Sequence, residues 1–390
     1  MPLPSIARPN LRRDERGMAL ALAIFALVII ATLVSGVFFM ARLEQRSGSN
    51  TLWATQAAEA ADAGLNATLA NWSGAYNALA VGASSALATQ VLGSSARYTV
   101  TIQKVSPQIF LVQSRGERTG GGGVLAGTTV GRIVRMVVPD VDINAAVTAN
   151  GPVTLQGNLT VDGRDTDPAY WPACTTKDTV ASVRTSQSIK AKGSYSAYGD
   201  PSPEGLVSSD ASIDATDFTG PYSAFTALAN KTHIGAWSAS DSPRPSLSGA
   251  TCDQADYRNW GEPYRDAAQG GYLAACAGYS PITWIKTGGG TAKITGGRAQ
   301  GILIVDDDLE MAGGFEFSGI ILVMGDVRTT GMGAKITGAL LAANETIGDV
   351  TYIGGTPVVT YSSCAIATAL AQSASVRPIA ERSWVQLYWE

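Results

Sequence analysis

The sequence predicts a mainly β protein carried on one long N-terminal α-helix, with a small antiparallel sheet and then a parallel β-helix, or solenoid. Three observations lead there. An uncharged apolar run from Met18 to Ala41 follows a cluster of arginines, β-branched segments alternate between residues 97 and 138, and from about residue 141 glycine-punctuated apolar strands recur at a nearly fixed spacing. Composition agrees. Only 15% of the 390 residues are charged and 43 are glycine, against about 25% charged residues in an ordinary soluble chain. That argues against disorder, a coiled coil or a large helical bundle. A net charge of −4 supplies no basic field to displace counterions from phosphates, so no nucleic-acid partner is expected. A single histidine, His233, excludes a zinc site built from several imidazoles.

Residues 1–17 form a basic leader with Arg8, Arg12, Arg13 and Arg16. The apolar run behind it holds 24 residues, and at about 1.5 Å per residue it reaches about 36 Å, enough for a hydrocarbon core of roughly 30 Å. The arginines predict a cytoplasmic N-terminus for a single-pass helix. A cleaved secretory signal would have a shorter apolar stretch ending in small residues. Here the run continues into a second stretch where Ala58, Ala61, Leu65, Leu69 and Trp72 recur at spacings of three and four. One helix over 18–72 is therefore expected, membrane-spanning first and amphipathic afterwards, with Ser47 to Asn50 as the place where it bends or melts.

These residues resemble type IV pilin-like proteins, and more closely the PilX-type minor pilins. The likeness lies in Arg16-Gly17, in the string MALALAIFALVII that begins at Met18, and in QAAEAADAGL from Gln56 to Leu65. The resemblance implies that a prepilin peptidase cuts between Gly17 and Met18 and methylates the new amine. It also implies that the helix, through Leu20, Leu22, Phe25, Leu27 and Val28, packs against other pilins or pseudopilins and engages the inner-membrane assembly platform. The chain departs from the family at Leu22, where most members carry a glutamate that neutralises a neighbour's N-terminal amine. A buried unpaired ammonium is costly, so the departure implies a minor, tip-proximal subunit; the family's K-type pseudopilins lack the same glutamate. The plainer reading of the helix is a simple membrane anchor.

Past the helix, Arg97–Val105, Gln108–Glu117 and Gly131–Val138 read as an antiparallel sheet within residues 73–140, with Gly120 to Gly123 as a flexible loop. Leu65, Leu69 and Trp72 are its expected contacts on the helix. A solenoid is expected over 141–364. Gly151, Gly157 and Gly163 are spaced by six; GILIV at 301–305 returns as GIILV at 319–323 and more loosely as GALLA at 338–342, offsets of 18 and 19. Such a period suits stacked coils that bury their apolar faces only against one another. Residues 140–165 and 280–355 also resemble the C-terminal solenoid of PilX-like proteins. Residues 166–280 read as an irregular insertion with a short helix between Ala211 and Lys231. In 365–390 a helix over Ile366–Ser373 is expected, then a segment from Trp384 to Trp389 that forms a last strand or caps the solenoid's end.

All four cysteines lie on the exported side, and an even number in an oxidising compartment points to two disulfides with three pairings open. Cys252 with Cys276 closes a short loop and is preferred, leaving Cys174 with Cys364 as a long-range staple. Because other β-helices are carbohydrate enzymes, Asp306, Asp307 and Asp308, with Lys293, Arg298 and Arg328 near in sequence, are candidates for an acid pair or a Ca²⁺-assisted base. Three consecutive residues on a strand of period two cannot face one site. They read instead as turn formers, and no catalytic residue is expected. Asp162, Asp165 and Asp167 offer oxygens to Ca²⁺ but lack the spacing and terminal Glu of an EF-hand loop, so an ordinary turn competes with a metal site. His233 reads as a loop residue, and aromatics such as Trp171, Trp237, Tyr257 and Trp260 as anchors for the insertion or as a surface for sugars. The expectation is thus a non-enzymatic minor pilin-like subunit, held in the bacterial inner membrane before assembly and then displayed on the pilus or cell surface for adhesion or partner contact. The alternative is a membrane-anchored carbohydrate-active or carbohydrate-binding β-helix protein with no filament role.

Overall fold

The computed structural model describes residues 15–390 except 78, 139–140, 169, 172–173, 175–178, 239, 345–349, 380–383 and 388–390. Most of the basic leader, Arg8, Arg12 and Arg13 included, therefore lies outside the described residues.

A single helix runs from Glu15 to Ala70. It does not break at Ser47–Asn50, contrary to the sequence expectation. Hydroxyls there turn back onto the helix: Ser49 Oγ donates to the Gln45 carbonyl at 2.9 Å and Thr51 Oγ1 to the Ser47 carbonyl at 3.0 Å, which satisfies the side chains without leaving the ladder. In the second half Ala57, Ala60, Ala61 and Leu65 are buried. The sheet comes so close here that a Cβ on Gly116 would overlap the backbone of Ala57 and Ala61, and one on Gly64 would overlap the Tyr98 ring. Trp72, just beyond the helix, meets Phe110 edge-on at 5.2 Å, and its indole N–H donates to Asn77 Oδ1 at 2.8 Å.

The sheet is antiparallel and seven-stranded. Its centre is a meander of Ala96–Ser106, Ile109–Gly120 and Gly123–Val137. The glycine run is a tight hairpin rather than a loop. Gly121 and Gly122 take φ of +59° and +84°, which such a turn requires, and the third strand starts eight residues earlier than the β-branched pattern suggested. The chain's last strands, Ser375–Pro378 and Trp384–Leu387, also pair with this third strand. The C-terminal segment thus completes the small sheet and does not close the solenoid's end; residues 388–390, with Trp389, lie outside the described residues.

Between these strands sits a parallel β-helix. Long strands Arg298–Val305, Phe315–Val323 and Ala334–Ala342 stack in register, and each bends at a glycine so that its two halves serve different faces. Gly301, Gly319 and Gly338 align across the coils with φ of +112°, +134° and +138°. A Cβ on Gly319 would strike the Gly301 carbonyl, and one on Gly338 the Gly319 carbonyl. A third face comes from Thr291–Thr295, Asp308–Ala312, Val327–Thr329 and Thr351–Gly355. Aliphatic side chains from all faces meet in one core that includes Leu155, Ile294, Ile302, Ile320, Ile336 and Ile353.

The stacking order is not the chain order. The coil at 145–162 stacks on the last coil, Val153–Gly157 pairing with Thr351–Gly355 and Thr160–Asp162 with Val358–Tyr361. Its other side carries a further coil made of Ala181–Thr185, Ile189–Lys192 and Ser196–Tyr198. Part of the expected irregular insertion is therefore solenoid; as a terminal coil rich in Ser and Lys it lacks the apolar signal of the inner ones. The chain then crosses to the opposite end, where Lys231–Ile234 pairs with Ile282–Lys286. Helix Thr216–Thr226 buries Phe218, Pro221 and Phe225 on the way. Helix Ser363–Ser373, capped by Ser362 Oγ accepting from the Ala365 N–H, covers the long strands and leads back to the small sheet.

Candidate functional site

Among the described residues, the exposed large apolar side chains concentrate in the first half of the helix, from Met18 to Leu43. Every residue from Met18 to Gly48 is exposed, and Leu20, Leu22, Phe25, Leu27 and Val28 are each more than half exposed. At 100° per residue these five positions cover most of the circumference, and the uncharged residues between them fill the rest, so the segment is an apolar cylinder rather than an amphipathic stripe. Its polar groups are closed internally: Thr32 Oγ1 donates to the Ile29 carbonyl at 2.8 Å and Ser35 Oγ to the Ala31 carbonyl at 2.7 Å, as an apolar medium demands. The helix is the one element among the described residues long and apolar enough to cross a membrane. Gly17 lies in its first turns, followed at once by Met18.

The acids singled out from sequence are spread over coil corners. Asp306 Oδ1 accepts from the Thr287 N–H at 2.7 Å, Asp307 Oδ2 from the Gly289 N–H at 2.6 Å and from the Thr287 hydroxyl, and Asp308 Oδ1 from the Asp326 N–H at 2.9 Å. Each carboxylate ties one coil to its neighbour. The basic residues near them have other partners: Lys293 pairs with Glu310 at 3.2 Å, Arg298 with Glu262 at 2.9 Å, and Arg328 stacks on Tyr352.

Asp162, Asp165 and Asp167 are not brought together. Asp162 pairs with Arg164 at 2.6 Å; burial raises its carboxyl pKa, but the hydrogen bonds and charge of Arg164 outweigh that and hold it below the usual range. Asp165 accepts from the Ser363 N–H at 2.8 Å and hydroxyl at 2.6 Å, at the start of a helix. Asp167 lies beside Cys174 and Cys364, whose sulfurs are joined in a disulfide and present no thiolate to a metal. The two bridges are Cys174–Cys364, with Cα atoms 5.8 Å apart, and Cys252–Cys276, at 4.9 Å.

Sequence reasoning missed the polar clamp that holds the insertion to the solenoid. Glu262 is fully buried and accepts two hydrogen bonds of 2.9 Å from Arg298 and one of 2.9 Å from the Leu273 N–H. Next to it, Arg265 stacks on Trp171 at 4.1 Å and donates to Gln300 Oε1 at 2.6 Å. Burial pushes the Arg265 guanidinium down to about 10. Only the clustering of Pro, Tyr and Trp around EPYR at 262–265 hinted at an ordered segment. His233 sits on the solenoid's end strand with its ring 4.9 Å from Trp237.

Comparison with other proteins adds little. The sequence matches no protein-family model and no curated protein. Among solved structures, the chain aligns with a competence-associated pilin, ComZ, from Thermus thermophilus at 12% identity and a TM-score of 0.23, over 87% of this chain and 97% of that one. So loose a superposition carries no argument.

Proposed function

We propose that the protein is a minor pilin-like subunit whose work is assembly and display rather than catalysis. The observation that carries this reading is the form of the helix: an apolar cylinder exposed on every side from Met18, continuing unbroken into a half that seats on an antiparallel sheet. A simple anchor needs the first half but not rigid continuity with the second. A subunit that slides out of the bilayer into a bundle of like helices needs both, because the folded head must follow the helix as one body. In this reading the arginine-rich leader stays in the cytoplasm, a prepilin peptidase cuts between Gly17 and Met18, and the new amine is methylated. Leu22 offers no carboxylate to a neighbour's amine, so the subunit belongs at or near a filament tip, with other pilins or pseudopilins behind it and the solenoid facing outward.

The test is a Gly17→Leu variant in the native cell. The reading expects it to stay in the membrane at full length and to abolish the pilus- or secretion-dependent phenotype that the unaltered chain supports. A variant that retains that phenotype while unprocessed overturns it.

A further inference from the structure

The small sheet points one corner toward the apolar half of the helix. Along the strand Ile109–Gly120 the helix contacts descend in step. Phe110 meets Trp72, Ser114 lies against Gly64, Gly116 against Ala57 and Ala61, and Arg118 Nε donates to Gln56 Oε1 at 2.7 Å. From Arg118 to Gly121 the strand advances by about 10 Å, which equals about seven helical residues and ends near Ser49. Ser49 is the first residue from Met18 onward that is not exposed. A second hairpin tip lies alongside, between Gln90–Leu92 and Ala96–Ser106, where the Thr119 N–H donates to the Ser95 carbonyl at 2.8 Å.

These two tips carry apolar side chains that the described residues leave bare. Val91 and Val124 are 70% and 49% exposed, and Leu92, Leu125 and, at the same level of the helix, Leu52 are exposed as well. Consecutive strand residues point to opposite faces, so each tip is apolar on both sides. A partner docked on one face would leave the other in water, whereas a medium entered tip first covers both. Charge follows the same plan. No charged residue occurs in 84–96 or 119–131, and the nearest, Arg97, Glu117 and Arg118, stand behind the tips. On the helix below, Arg42 and Arg46 are exposed.

We propose that the two hairpin tips enter the headgroup layer of the leaflet from which the helix emerges, seating the folded head on the membrane before assembly. The inference deepens the reading of Met18–Ala41 as a membrane span and rests on it. That run measures about 36 Å against a hydrocarbon core of roughly 30 Å, a mismatch that a tilt of about 30° takes up. Ser49 lies about 12 Å along the axis beyond Ala41, and so about 10 Å above the hydrocarbon edge at that tilt. The sheet stands roughly 8–10 Å to one side of the axis, so a lean toward it lowers the tips by about 5 Å. They then lie about 5 Å above the hydrocarbon, within a headgroup layer about 5–8 Å deep. Helix length leaves the direction of a tilt open. The apolar tips, with arginines behind them, supply it, since apolar and basic side chains together favour a membrane surface.

The test attaches one nitrobenzoxadiazole label to the full chain through Val91→Cys, Val124→Cys, Ile30→Cys or Val105→Cys. Emission is read in phosphatidylcholine–phosphatidylglycerol vesicles with and without brominated acyl chains. The native cysteines are all in disulfides, so the added thiol takes the label, and all four sites are exposed, so the label displaces no packing. Ile30, in mid-span, reports the helix. Val105, at the other end of Ala96–Ser106 and about 30 Å from the tip, reports the solvent. Labels at Val91 and Val124 are expected to lose emission to bromine near the carbonyl end of the acyl chains and less to bromine near their methyl end. The Ile30 label should show the reverse order, and the Val105 label no loss. If Ile30 is quenched while Val91 or Val124 behaves as Val105 does, the proposal is overturned and the membrane span stands. If Ile30 is not quenched, both fall. Emission from Val91 or Val124 that shifts to the blue yet ignores bromine reports a protein neighbour, a second copy of the chain included, and also overturns the proposal.

Discussion

At Asp210 the carboxylate accepts from the Ser212 hydroxyl at 2.7 Å and N–H at 3.0 Å, and from Arg184 at 2.6 Å. The Ser212 bonds first, then Arg184, lower its pKa to about 2. A depressed carboxyl stabilises the fold in full above its unfolded value, about 3.9, and that contribution is lost as pH falls through about 2. Asp210→Asn should therefore be less stable than the unaltered chain at pH 6, with the gap closing between pH 4 and 2; urea midpoints at the two ends of the range measure it. Glycine positions separate as sharply. Gly319→Ala places a methyl against the Gly301 carbonyl at φ +134° and should cost more than about 2 kcal/mol in urea unfolding. Gly220→Ala, in helix Thr216–Thr226, meets nothing beyond its chain neighbours, but its methyl faces the ring of Pro221, which disfavours a helical backbone for a side-chain-bearing residue before it. The ordinary helix gain should be absent, and urea unfolding should give a stability within about 0.5 kcal/mol of the parent.

Among the elements, those with strong periodicity were legible in the sequence and those that depend on distant partners were not. The repeat at 301, 319 and 338 is the coil register itself, because each glycine must fall where the next coil's carbonyl passes. The coil at 181–198 escaped notice because its strands carry Ser and Lys in place of Ile and Leu and its outer side is covered only by the short strand Leu206–Val207. The C-terminal strands escaped for a different reason: their partner, Gly123–Val137, lies more than two hundred residues upstream, and no local pattern names it. At the candidate site, the apolar helix is readable from charge alone, whereas the Glu262–Arg298 clamp arises from segments that meet only in the fold. The bridge Cys174–Cys364 spans 190 residues and ties the loop after the first coil to the helix that returns to the sheet. Replacing both cysteines by serine should lower unfolding stability by about 3–5 kcal/mol on the loop-entropy model, read from denaturant midpoints of the oxidised parent and the variant.

Taken whole, the chain is one helix-and-sheet body with a solenoid inserted between two strands of its sheet. The strand Gly123–Val137 ends where the solenoid begins, and Ser375–Pro378 brings the chain back to pair with it. Such an arrangement joins the solenoid to the sheet both where the chain enters it and where it leaves. The low charge fraction and abundant glycine have the same origin, an apolar cylinder at one end and glycine-cornered coils at the other. The central claim is that this body enters a filament through a helix beginning at Met18, and the N-terminal peptide of the native protein tests it most directly. Mass spectrometry of the chain purified from cells with an active prepilin peptidase should find a peptide that starts at Met18 with a methylated amine. A chain that still starts at Met1 in those cells contradicts the account.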